Sequence, residues 1–151
     1  QQGAEVNLVI AGKPGWKVDD LIHRIRLHPE LGRRLHWLDQ PSDETLQALY
    51  RHADGALMAS YAEGFGLPLV EAASHGKPVL ARDIPVFREV GAGAASYFQG
   101  DTPEALAAAL ANWIARVRTA RASCTSIPWQ TWSDSAQQLL ACLPLESPQH
   151  R

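Results

Sequence analysis

The chain has 151 residues, a net charge of −2 and two cysteines, which suits one domain with a real core. The near-neutral balance argues against a nucleic-acid footprint or a polybasic membrane patch. Cys124 and Cys142 have neither metal-ligand spacing nor a disulfide framework and point to a reducing, cytoplasmic compartment, and no apolar run approaches transmembrane length.

Gln1-Gln2-Gly3-Ala4-Glu5 is no signal peptide, and without an initiator Met the chain is expected to be either processed or a fragment. Val6-Asn7-Leu8-Val9-Ile10-Ala11 is a short, nearly continuous apolar run, the mark of a parallel-sheet strand covered on both faces. After the loop Gly12-Lys13-Pro14-Gly15-Trp16, Val18, Leu21, Ile22 and Ile25 recur at helical spacing until Pro29. Arg34-Leu35-His36-Trp37-Leu38 reads as a second strand. Asp39-Gln40-Pro41-Ser42 is a loop ending in a helix cap, and Leu46, Leu49, Tyr50 and Ala53 give the next helix its apolar face. Gly55-Ala56-Leu57-Met58-Ala59-Ser60 is a third strand.

The most informative stretch follows. Tyr61-Ala62-Glu63-Gly64-Phe65-Gly66 is a glycine-rich turn. A helix with Pro68 in its first turn then carries Leu69, Val70, Glu71, Ala72 and Ala73 and stops at Gly76, with Pro78 beyond. Free N–H groups and the positive dipole end of such a helix suit an anion, here with one carboxylate in the loop and one in the helix. Each has a plainer reading, Glu63 as a solvated loop acid and Glu71 as an acid complementing the dipole.

Pro78-Val79-Leu80-Ala81 is a fourth, very short strand. Arg82-Asp83-Ile84-Pro85 turns into a short helix ended by Gly91, and Ala95-Ser96-Tyr97-Phe98 is the last strand. Asp101-Thr102-Pro103-Glu104 starts a helix whose stripe is Leu106, Leu110, Trp113, Ile114 and Val117. Residues 123–128 form a break. Trp132, Ala136, Leu139, Leu140 and Leu143 mark a final amphipathic helix, and residues 144–151 read as a frayed tail. The Trp113 and Trp132 stripes read as core.

Strands alternating with helices specify an α/β fold with a mostly parallel sheet, whose ligands bind at the carboxyl ends of the strands. No repeat or second domain is visible, so residues 1–151 form one domain. Lys13 and Lys17, flanking Gly15-Trp16 at such a strand end, could touch phosphate with Trp16 bordering a base. A solvated loop with a packed Trp is the competing reading. Gly12-Lys13-Pro14-Gly15 is neither a P-loop nor a dinucleotide fingerprint. The six histidines lack metal-ligand spacing. Ser74 lacks the glycine pattern of a nucleophile elbow, which disfavours a hydrolase. Arg82 and Arg88 read as surface residues.

Glu63-Gly64-Phe65-Gly66-Leu67-Pro68 with Glu71 eight positions after Glu63 is an E-x7-E pattern. It resembles the C-terminal, nucleotide-binding domain of retaining glycosyltransferases of the GT-B fold, the group 1 (family 4) enzymes. Leu8-Val9-Ile10-Ala11-Gly12, His36-Trp37-Leu38, Ser42-Asp43, Asp54-Gly55-Ala56-Leu57, Gly76-Lys77-Pro78-Val79 and residues 83–91 agree in order and spacing, so the resemblance runs over about residues 8–143. It implies a Rossmann-like sheet with helices on both faces, the C-terminal half of a GT-B fold. It also implies that Glu63, the catalytic candidate, lies by the transferred sugar, and that Glu71 accepts hydrogen bonds from the ribose hydroxyls. The backbone of Gly64, Phe65, Gly66 and Leu67 is implied to approach sugar and diphosphate, with Lys13 as a further substrate-binding candidate. Chemistry agrees, because an ionised carboxylate accepts two hydroxyls of a diol. Glycines let the backbone come close, and helix N–H groups stabilise charge on a departing diphosphate.

The resemblance also implies departures. The family has one more strand and helix before Leu8, with an Arg and a Lys that clamp the diphosphate, and in the usual order that strand is central. Here only seven residues precede Leu8 and none is basic. The N-terminal, acceptor-binding domain is absent as well, so this piece is expected not to catalyse transfer alone. The expected parent transfers a hexose to a glycan or lipid-linked acceptor in surface polysaccharide synthesis. Mannose from GDP-mannose is the favoured donor, the parent being cytoplasmic and peripheral to the inner membrane face. No cofactor or metal is expected, and no Asp-x-Asp occurs. Two rivals stand beside this reading: a GT-B nucleotide-sugar epimerase, and a non-catalytic interaction module.

Overall fold

A computed structural model describes residues 5–119 and 130–143. The predicted break, the frayed tail and Cys124 lie outside the described residues. In chain order the elements are β1 (Leu8–Ala11), α1 (Asp19–Arg26), β2 (Leu35–Leu38), α2 (Asp43–His52), β3 (Ala56–Met58), α3 (Leu67–Ser74), β4 (Val79–Arg82), α4 (Pro85–Gly91), β5 (Ser96–Phe98), α5 (Pro103–Arg118) and α6 (Trp132–Cys142). Each expected strand and helix is present. Local chemistry sets several of the starts. The Ser42 side chain accepts from the Thr45 amide at 3.3 Å to begin α2, and Thr102 accepts from the Ala105 amide at 3.2 Å to begin α5. Thr131 and Asp134 form a reciprocal capping box at α6.

All strand pairings are parallel. β1 pairs with β2 from Leu8↔Leu35 to Ala11↔Leu38. β3, β4 and β5 form a second sheet in that order. The expectation of a parallel sheet therefore holds for direction but not for continuity, because two sheets are present. The reason lies in strand order. Among the described residues β1 bonds only to β2 and β3 only to β4, so each keeps one unpaired edge. The resemblance puts a further, central strand between these edges. Val6, Leu8 and Val9 are exposed.

The core surrounds β4, all four residues of which are buried. Successive side chains of a strand point to opposite faces. Val79 and Ala81 pack with Leu69 and Ala72 of α3, Phe87 of α4 and Ala95, and Tyr50 of α2 joins them. Leu80 packs on the other face with Phe98 and with Trp113 of α5. Helices thus cover both faces of this sheet, as expected. Gly55 permits the tight approach of α5, since a Cβ there would lie 2.5 Å from Trp113. The core reading of the two Trp stripes holds for Trp113, which is 7% exposed, and fails for Trp132, which is 85% exposed. Leu139 and Leu140 of α6 are exposed beside it in sequence. The pattern of an amphipathic helix predicts one apolar face but not what covers it.

Candidate functional site

The β3–α3 segment leaves the carboxyl end of the three-stranded sheet and returns as a helix. Ser60, just after β3, donates its hydroxyl to Glu63 Oε1 at 2.8 Å. That bond holds the exposed Glu63 carboxylate to the strand end rather than leaving it free on the loop. Gly64, Phe65 and Leu67 are exposed, and Gly66 is buried beneath them. Gly66 caps α3 with a φ of 86°, and a Cβ there would lie 2.9 Å from Phe87 Cε1. Both its conformation and its space therefore demand glycine. No side chain caps α3. The Leu67 amide at its first position donates to no acceptor among the described residues, and Pro68 has no N–H to satisfy. The helix thus presents an open, electropositive end to the face that carries Glu63.

Glu71 lies on the second turn of α3 and is exposed. Its Oε2 accepts the Tyr50 hydroxyl at 3.0 Å. Burial, reinforced by that bond to the carboxylate, pushes the Tyr50 phenol above its ordinary pKa, so it remains a donor. The Tyr50 ring stacks on His75 with centroids 5.3 Å apart. His75 Nδ1 donates to the Glu71 carbonyl at 2.8 Å, and its Nε2 lies 2.8 Å from Gln47 Oε1. α2 therefore grips α3 beside Glu71 through two side chains.

Arg82, expected at the surface, is buried at the end of β4. Its Nε donates to the Ala59 carbonyl at 3.1 Å, and its Nη1 to the Gly100 carbonyl at 2.8 Å and to Asp101 Oδ1 at 3.1 Å. A guanidinium has five donors in a fixed fork, and this one is used to tie the β3–α3 loop to the β5–α5 loop. It is a structural pin. Arg88 is exposed, as expected, and is paired with Asp83.

Lys13 is exposed on the β1–α1 loop, at the rim of an apolar groove of about 390 Å³ lined also by Leu21, Ile22 and Trp37. Among the described residues it makes no hydrogen bond or ion pair with Glu63 or Glu71, so the structure does not join it to them. Trp16 is exposed rather than packed, with Lys17 Nζ 4.3 Å from its ring centroid. Sequence reasoning missed Tyr50 and Ser60 as partners of the two carboxylates. The available signals were a hydroxyl inside an otherwise apolar helical stripe and a hydroxyl ending an apolar strand.

Among the described residues no group of three or more His, Cys, Asp and Glu could hold a metal ion, and no helix is long and apolar enough to cross a membrane. The family model for glycosyl transferases group 1 matches residues 1–124. The chain is 44% identical over 149 residues to the serotype-specific mannosyltransferase WbdA of Escherichia coli, covering 98% of this chain and 18% of that protein. It is 30% identical over 105 residues to the O-antigen chain mannosyltransferase RfbU of Salmonella typhimurium, covering 70% of this chain and 29% of that protein. It thus spans less than a third of the length of these relatives. The crystal structure of Anabaena HepE in complex with UDP and glucose matches with a TM-score of 0.66 at 21% identity, over 91% of this chain and 41% of that one. At that identity the likeness speaks for the fold alone: an α/β domain shared with that protein.

Proposed function

The chain belongs to the group 1 glycosyl transferases, and we propose that it is the donor-binding part of a retaining glycosyltransferase. The whole protein transfers a hexose from a nucleotide sugar to a glycan or lipid-linked acceptor in surface polysaccharide synthesis. The observation that carries this reading is the pair of exposed carboxylates, Glu63 and Glu71, flanking the uncapped N-terminus of α3 at the carboxyl end of a parallel sheet. In this arrangement Glu63 binds hydroxyls of the transferred sugar and Glu71 binds the ribose diol. The Gly64–Leu67 backbone faces the diphosphate, and its amides stabilise the charge that develops as the diphosphate departs. Lys13, on the β1–α1 loop, adds a phosphate contact.

The mannosyltransferase names of the relatives support mannose as the hexose, and we propose guanosine diphosphate as its carrier. The acceptor is bound by parts of the protein outside this chain, and catalysis needs them, so this chain alone does not turn over. The protein works in the cytoplasm, at the inner face of the membrane. No metal or cofactor is required, because amides and cationic side chains handle the diphosphate.

Calorimetric titration of this chain with GDP-, UDP- and ADP-sugars tests the binding claim. GDP-mannose is expected to bind, and Glu71→Ala to weaken it by about 1–3 kcal/mol, the scale of lost hydrogen bonds to a charged group. Equal binding by the variant contradicts the role of Glu71. Product analysis of the longer protein tests the chemistry: an extended glycan with the anomeric configuration kept is expected, whereas an epimerised sugar nucleotide contradicts it.

A further inference from the structure

We infer that Tyr50 is a positioning residue for the nucleotide's ribose: its hydroxyl, presented from α2, holds the Glu71 carboxylate ready to receive the 2′,3′-diol. The inference rests on the donor-site reading of Glu71 and assigns a role to a residue in a different helix. Glu71 is an exposed glutamate on a helix, a setting in which the side chain normally samples several rotamers. Here one of its oxygens is anchored. Tyr50 Oη lies 3.0 Å from Glu71 Oε2 and 3.4 Å from the Pro68 carbonyl, so a single hydroxyl bridges the first turn of α3 and the carboxylate one turn on.

The donor is itself fixed. The Tyr50 ring packs against the cluster of Leu69, Ala72 and Phe87. It also stacks at 24° on His75, which is tied to the Glu71 carbonyl and to Gln47. A phenol has one proton to give, and the carboxylate is the nearer of its two acceptors. The carboxylate offers about four lone-pair sites. One is taken by Tyr50, which leaves Oε1 and the second site of Oε2 for two ribose hydroxyls. The bond to Tyr50 therefore does not compete with the diol; it orders the acceptor in advance. Pre-ordering one long side chain is worth roughly a three- to tenfold gain in affinity.

A merely structural Tyr50 would affect stability and every ligand alike. The discriminating probe is GDP against 2′,3′-dideoxy-GDP, which lacks the diol. In the unsubstituted chain GDP is expected to bind more tightly. Tyr50→Phe keeps the ring and its stacking, and is expected to weaken GDP by roughly three- to tenfold while leaving the dideoxy nucleotide within about twofold. In a Glu71→Ala background, Tyr50→Phe is expected to change nothing further for GDP. A second measurement needs no variant. With the three tyrosines labelled at 13Cζ, the Tyr50 resonance is expected to move on adding GDP and to stay with dideoxy-GDP. An unchanged GDP-to-dideoxy ratio in Tyr50→Phe, or equal movement of the resonance with both ligands, overturns the positioning role and leaves the donor site standing. If the unsubstituted chain binds neither nucleotide, the donor-site reading fails and this inference with it.

Discussion

The guanidinium carbon of Arg82 lies 3.9 Å from the centroid of the Tyr61 ring, and the same group donates to the carbonyls of Ala59 and Gly100. One buried side chain thus fixes the loop that leads to Glu63 and the loop that leads into α5. Arg82→Met removes the donors and deprives the Ala59 and Gly100 carbonyls of their partner. It is expected to destabilise the domain by about 2–4 kcal/mol. Asp101→Asn, by contrast, removes a partner whose side chain is 79% exposed and is expected to cost little. Urea unfolding of both variants checks the contrast. Equal losses would mean that the ion pair, rather than the carbonyl ties, is what holds Arg82.

Gly66 and Gly64 make a second contrast within one loop. Gly66 has a φ of 86° and faces Phe87, a fully buried ring with no room to yield, whereas a Cβ at Gly64 meets nothing within 4 Å. Gly66→Ala is expected to cost about 1–3 kcal/mol, and Gly64→Ala to stay within about 0.5 kcal/mol. Thermal unfolding reads the stability. Retained stability with lost nucleotide affinity in Gly64→Ala would indicate close approach of ligand to that backbone.

Acid sensitivity has a local origin at Asp83. Hydrogen bonds from Arg88 first, and from Gln99 next, hold its carboxyl down to about 2, below its ordinary 3.8. A folded-state value below the unfolded one means that the group favours the fold above about pH 4. That contribution is lost as the pH falls toward 2. Asp83→Asn is expected to flatten the stability profile between pH 4 and 2 and to leave its shape above pH 5 unchanged. Urea midpoints measured across that range check it, and identical profiles would contradict it.

Much of the fold was legible because its signals are local. Apolar runs bounded by glycine and proline mark β1 to β5, and Ser42, Thr102 and Pro68 announce the starts of α2, α5 and α3. The two candidate carboxylates stand out in the sequence for the same reason, since they sit eight positions apart in one strand–loop–helix unit. Relations between distant residues were not. Tyr50 and Glu71 are 21 positions apart, and Arg82 reaches back 23 positions to Ala59. A tyrosine in an apolar stripe reads as core, and an arginine after a strand reads as surface, until packing brings their partners in. Trp113 and Trp132 have the same pattern around them and opposite fates, because only the first has a sheet face to cover. The division into two sheets was not expected, since pairing between strands leaves no mark on a single run of residues.

Everything proposed for this domain depends on the Glu63–Glu71 segment binding a nucleotide sugar. The most direct measurement is protein-observed NMR of this chain during titration with GDP-mannose. Saturable shifts are expected, concentrated at the amides of Gly64, Phe65, Gly66, Leu67 and Glu71 and weakened in Glu71→Ala. Absence of shifts there, or shifts confined to the apolar groove between β1 and α1, would contradict it.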